Sequence, residues 1–171
     1  MTSIKKASSK TLAFAIVASL AGASFAVQAN DTGTLLVSAQ VAPVCQIVTT
    51  APVAFGTLDP TIDNDTAGSI TWQCTTGTNT EITLDGGLLG SADGATRLMG
   101  DGGSNTLPYQ LYTDTGRSNP WLNTAGGGVP VLGVGYLGGD TISVYGRVTQ
   151  AVAAAAINAA YNDSVTVTIT F

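Results

Sequence analysis

The chain has 171 residues, 44% of them hydrophobic and 10% charged, which allows one sizeable core and is too short for two ordinary ones. It has no histidine, one glutamate (Glu81) and two cysteines, which excludes histidine acid–base catalysis, a Ser-His-Asp triad and most zinc sites. All three lysines lie in the first ten residues, so residues 30–171 set three arginines against eleven acids, a net charge of −8 with no basic stripe for a nucleic acid's phosphates. Residues 1–29 read as a secretory signal peptide. Lys5, Lys6 and Lys10 precede an apolar stretch from Leu12 to Ala21, and Val27-Gln28-Ala29 fits a cleavage site, with Ser24-Phe25-Ala26 as a second choice. The apolar stretch falls well short of the ~20 residues a bilayer span needs, so an exported chain beginning near Asn30 is expected, with no membrane span.

The mature N-terminus carries the first alternating run. In Gly33–Val41, Leu35, Val37, Ala39 and Val41 share one face, and Thr34, Leu36, Ser38 and Gln40 the other. Next comes Cys45, and an oxidising compartment predicts its pairing with Cys74, closing a loop of about 30 residues worth ~3–4 kcal/mol. Asp59–Gly68 reads as a turn-rich stretch. Strands are predicted over Ser69–Cys74 (Ile70, Trp72 and Cys74 on one face) and Glu81–Leu84 (Ile82 and Leu84). Further strands are predicted over Leu107–Thr113 (Leu107, Tyr109 and Leu111) and Thr141–Thr149 (Ile142, Val144 and Gly146). Asp85–Gly103, Asp114–Gly128 and Gly133–Asp140 read as glycine-rich loops. Ala151–Ala160 has helix propensity but no evident cap, and a loop or short helical turn is expected. The last run is the clearest: Val165, Val167, Ile169 and Phe171 alternate with Ser164, Thr166, Thr168 and Thr170. Short strands with glycine-rich connections predict a β-sandwich. Neither terminal strand has the lysines or prolines that normally protect a sheet edge, which leaves both as templates for another chain.

Seven pieces of this sequence, in order, resemble the archaic chaperone–usher pilins, the spore-coat-U-like proteins. They are the N-terminal run ahead of Cys45; Phe55-Gly56; Gly68-Ser-Ile-Thr-Trp-Gln-Cys74; Arg97-Leu98-Met99; Leu107-Pro-Tyr-Gln-Leu-Tyr-Thr-Asp114; Val144-Tyr-Gly-Arg-Val148; and Tyr161–Phe171. The resemblance implies an all-β, incomplete immunoglobulin-like sandwich, missing its last strand, with an apolar groove beside the C-terminal strand. It implies a donor segment over residues 30–43 and a pilin domain over residues 44–171. Leu35, Val37, Ala39 and Val41 match the donor face, and Val165, Val167, Ile169 and Phe171 the strand that borders the groove and binds the chaperone. The partners implied are a periplasmic chaperone, an outer-membrane usher and identical or related subunits, with no cofactor, no metal and no reaction. The function implied is a structural subunit of a surface fimbrium, exported through the periplasm and supporting adhesion and biofilm formation. The rivals are an adhesive binding module, a self-contained secreted enzyme or lectin, and a coat or matrix protein of the same fold.

Other chemistry is weaker. Asp63–Gly68 resembles the start of a calcium loop, but Ala67 and Cys74 stand where ligands are needed. Asp59, Asp63 and Asp65, or Asp93 and Asp101, are candidate carboxylate pairs set in glycine-rich loops with nothing apolar to raise one pKa. Arg97 and Arg147 are expected to make structural hydrogen bonds or ion pairs, Trp72 to pack in the core, and Trp121, after Asn119-Pro120, to be exposed at a subunit contact or ligand surface.

Overall fold

The computed structural model describes residues 30–171, and the leader lies outside the described residues. Residues 30–39 carry no helix or ladder, and Leu35, Leu36 and Val37 are each more than 80% exposed. The alternating run therefore contributes no strand to either sheet. Gln40–Phe171 forms a second unit, a sandwich of two antiparallel sheets.

The larger sheet has five strands in the order β1-β2-β7-β5-β4: β1 (Cys45–Ala51), β2 (Asn64–Cys74), β4 (Arg97–Gly100), β5 (Thr106–Tyr112) and β7 (Asp140–Val148). The smaller has three in the order β6-β3-β8: β3 (Asn79–Leu84), β6 (Val129–Leu132) and β8 (Val167–Thr170). The period-two pattern aims Ile70, Trp72, Cys74 and Val144 of the first sheet at Ile82 and Leu84 of the second, and these side chains, with Leu111, form one buried cluster. At one end of the sandwich Cys45 and Cys74 are directly paired across β1 and β2 and joined by a disulfide. Replacing both by serine should lower stability by ~3–4 kcal/mol, read as an earlier urea midpoint with a steeper slope, because the unfolded chain without the cross-link is more expanded.

Several elements differ from the sequence expectation. Asn64–Gly68, expected as part of a turn, is the first half of β2 and pairs with Gly68↔Val144 through Asn64↔Val148. Gly68 is in a strand because the chain crosses over it: a Cβ there would lie 2.5 Å from the Ala51 carbonyl oxygen. β4 lies inside the stretch expected as loop, while β1 and β6 were not anticipated. β6 holds Pro130, which is tolerated because the strand is an edge. Gln150–Ala155 forms a six-residue helix, α1, with no side-chain cap and no buried residue, in keeping with the short helical turn expected.

The clearest correction is Trp121. It is wholly buried, not exposed: its indole N–H donates to the Ile82 carbonyl at 2.8 Å and its backbone N–H to the Leu111 carbonyl at 2.9 Å. The loop after β5 folds back so that this ring fills the space between the two sheets and is anchored to both. A polar loop sequence hides this, because the burial is decided by partners 39 and 10 residues away. Trp72, by contrast, packs in the core as expected, 2% exposed.

Candidate functional site

β8 pairs with β3 on one side only, and β1 with β2 on one side only. Between these two unpaired edges the sandwich is open, and a cleft of about 970 Å³ runs into the core. Its walls are residues 50–58, which leave β1 as an extended segment, and residues 156–167, which lead into β8. Its floor is the core itself, with Ile70, Leu84, Leu107, Leu111 and Val144 all reaching it. Asp163 is the only charged residue among those that line the cleft.

The near wall is fixed by aromatic packing over a glycine. Val53 and Phe55 lie across Gly146, where a Cβ would come within 2.5 Å of the Val53 side chain and 2.9 Å of the Phe55 ring. Phe55 meets Tyr109 edge-on with centroids 6.3 Å apart. The far wall is pinned by two carboxylates. Asp163 accepts the Tyr109 hydroxyl at 2.6 Å and the backbone N–H groups of Leu88 and Ser164 at 2.8 Å. Burial and that bond to Asp163 push the Tyr109 phenol well above its usual range. Asp85 accepts the N–H groups of Thr166 at 2.7 Å and Gly87 at 2.9 Å. Burial raises its carboxyl, but these bonds and the nearby Arg97 cation outweigh it and leave the pKa below the ordinary value.

Behind the wall, Arg97 is 1% exposed and uses all five guanidinium donors. They reach the carbonyls of Asp85 (2.9 Å), Gly94 (2.8 Å), Leu84 (2.8 Å) and Trp121 (2.7 Å) and the side-chain oxygen of Gln110. One buried cation thus joins the end of β3, its following loop, β5 and the Trp121 loop. Arg147 makes the structural ion pair expected of it, a fork onto Asp65 at 2.7 and 2.8 Å on the sheet surface.

The sequence-predicted residues separate clearly. Val165 and Val167 line the cleft; Ile169 packs on the core cluster farther along; Phe171 is 58% exposed, one residue beyond β8. Leu35, Val37, Ala39 and Val41 are exposed. Four of the carboxylates weighed for hydrolysis are held ionised rather than poised as acids. Hydrogen bonds from Thr61, Arg147, Ser91 and Asn105 keep Asp59, Asp65, Asp93 and Asp101, respectively, below the usual carboxylate range. Among the described residues no group of three or more His, Cys, Asp or Glu is placed to hold a metal, and no helix is long and apolar enough to cross a membrane. What sequence reasoning missed was the near wall and the floor. Phe55-Gly56 was the available signal, since an isolated aromatic before a glycine at positive φ marks a chain that turns to pack.

The geometry is that of a sandwich with a strand-shaped gap. A chain of the crystal structure of the CsuC–CsuE chaperone–tip adhesion subunit pre-assembly complex, from the archaic chaperone–usher Csu pili of Acinetobacter baumannii, has a similar fold. The TM-score is 0.53 at 20% identity, over 77% of this chain and 40% of that one. The likeness is one of fold: an all-β, immunoglobulin-like sandwich of two antiparallel sheets. "Protein U" of Myxococcus xanthus is 34% identical over an alignment of 186 residues that spans both chains completely. The Spore Coat Protein U domain matches residues 31–168. These are descriptions of structural proteins, not enzymes. With that domain covering the exposed N-terminal segment and running into β8, the chain belongs to the Spore Coat Protein U domain family.

Proposed function

We propose that the chain is a structural subunit of a surface fibre, and that its cleft is filled by residues 33–41 of a neighbouring subunit. Leu35, Val37, Ala39 and Val41 would face the floor, and the donor backbone would pair with the free edge of β8. The observation that carries this reading is the cleft itself. An apolar-floored cleft lies between two unpaired edges, and the one exposed alternating segment among the described residues has no place in the sheets. The two unpaired edges beside the cleft are templates for another chain and call for a cover before assembly. By likeness to the solved pre-assembly complex, a periplasmic chaperone supplies it and an outer-membrane usher exchanges it for the donor, with adhesion and biofilm formation as the outcome. The family's coat-protein description favours a second reading, a surface coat built from the same strand exchange, which differs in where the polymer is found.

Deleting Asp31–Val41 tests the reading. The shortened subunit should still bind its chaperone and accept a donor but give none, so that it caps fibres, read as shorter fibres by electron microscopy when mixed with intact subunits. A shortened subunit that folds as a stable monomer without a chaperone overturns it.

A further inference from the structure

The two sheets end in four outermost strands. β1 and β8 turn their unpaired edges to the cleft, while β4 and β6 close the far side of each sheet. A bare outer strand is a template for any extended chain. Along an antiparallel strand, alternate residues point their N–H and C=O groups at the partner and away from it. On β6, Gly133 N–H donates to the Thr78 carbonyl at 2.8 Å, so Val131 and Val129 also face β3. Gly128, Pro130 and Leu132 therefore face outward. Pro130 has no N–H to offer. The Gly128 N–H, and that of Gly126 before it, both donate to Oε1 of Glu81 at 3.0 Å. Glu81, the one glutamate in the chain, stands directly opposite Pro130 on β3. Leu132 is left with the one outward N–H of β6.

β4 is covered by other means. Gly100 and Asn162 exchange both backbone bonds at 2.9 Å on its outer side. Farther back along the same side, the Thr96 carbonyl accepts the Ser91 N–H at 2.8 Å, and the Thr96 N–H donates to the Ser91 hydroxyl at 2.9 Å. Only Leu98, between them, keeps its outward groups, and one residue is too short for a ladder. β8 is the opposite case. The Thr166 carbonyl accepts the Asp85 N–H at 3.1 Å, so Thr168 and Thr170 face β3, and Val167 and Ile169 turn their backbone groups to the cleft. Neither proline nor glycine interrupts that edge.

We infer that the fold seals β4 and β6 against strand addition, so that a second copy of the chain adds a strand only at the cleft. Pro130 and Glu81 seal one outer strand, and Ser91 and Asn162 the other. The seal belongs to the subunit, and its consequence, fibres that stay in single file, rests on the donor-strand reading. Repulsion among the eleven acids also keeps fibres apart, but salt screens it, whereas a missing or occupied N–H is indifferent to salt.

The test uses full-length protein assembled into fibres and held in ~1 M salt, where a Debye length of ~3 Å removes repulsion between fibres. Unaltered fibres should stay single there. Pro130→Thr restores an outward N–H beside that of Leu132, and Glu81→Thr/Pro130→Thr also frees those of Gly126 and Gly128. Fibres of the double variant should pair side by side, doubling their width by electron microscopy, and those of the single variant should pair to a lesser degree. In the pairs the Leu132 amide should exchange with deuterium about tenfold more slowly than in unaltered fibres. The double variant decides the matter, and the single variant does so if the double fails to assemble. Single fibres from the deciding variant overturn the inference. So do unaltered fibres that bundle in salt, and bundles whose Leu132 amide exchanges at the unaltered rate. Absence of a detergent-resistant ladder from the unaltered chain overturns the donor-strand reading instead, and the single-file consequence with it.

Discussion

Val37→Asp should abolish fibre elongation, whereas Ser38→Asp, which adds the same charge one residue away, should leave fibres of nearly normal length. Both positions are exposed in a segment that belongs to neither sheet, so neither change touches the subunit's own core. The difference arises only when the segment is inserted. In the proposed donor strand the alternating pattern would turn residue 37 to the cleft floor and residue 38 to solvent. Val37→Asp forfeits ~1.5–3 kcal/mol of valine burial. It also places a carboxylate among Ile70, Leu84 and Leu107, where even a neutral unpaired polar group costs ~1–3 kcal/mol. The combined loss of at least ~2.5 kcal/mol per junction is roughly seventyfold or more in the junction equilibrium. Fibre length by electron microscopy and the detergent-resistant ladder at room temperature report it. Equal effects at the two positions would mean that charge, not facing, sets the outcome.

The parts of the fold legible in the sequence were those where one strand face is buried and the other is not. β2, β3, β5, β7 and β8 all show the period-two pattern because each has one face on the core. β1 does not, since Thr49, Thr50 and Ala51 are exposed in succession beside the open cleft. β4 is four residues long and ends in glycine, and β6 contains proline, so neither has a local signature of a strand. The cleft was legible at its edges only. Val165 and Val167 announce a half-buried strand, but the floor is assembled from β2, β3, β5 and β7, and no local window contains it. The burial of Trp121 went unread for the same reason, and Arg97, expected to make structural hydrogen bonds, carried no sign of how many or how deeply buried they are. Apart from Gly94, three residues before Arg97, their hydrogen-bond partners lie 10 to 39 positions away, and a loop's polarity says nothing about which loop folds inward.

Arg97 and Arg147 make that distinction measurable. Arg147→Met removes a surface fork to Asp65 whose partners remain open to water, and its effect on stability is expected to stay below about 1 kcal/mol. Arg97→Met removes a cation that satisfies four backbone carbonyls and the Gln110 amide, three of the five bonds lying in wholly or nearly water-free surroundings. Each buried acceptor left unpaired costs ~1–3 kcal/mol, less where water refills the space. A total of about 3–5 kcal/mol is expected, a large share of the 5–15 kcal/mol that holds an ordinary domain together. Lysine at this position offers three donors from a single point, where the guanidinium offers five in a planar fork, so Arg97→Lys recovers only part of the loss. The consequence reaches the cleft, because the Leu84 and Asp85 carbonyls held by Arg97 adjoin the Asp85 carboxylate that fixes Thr166. Arg97→Met should therefore also weaken donor-strand capture in subunits that still fold, whereas Arg147→Met should not. The measurements are urea midpoints of oxidised protein and the fraction of subunits that enter the detergent-resistant ladder. Similar midpoints for the two methionine variants would show that the buried cation is no more important to the fold than an exposed one.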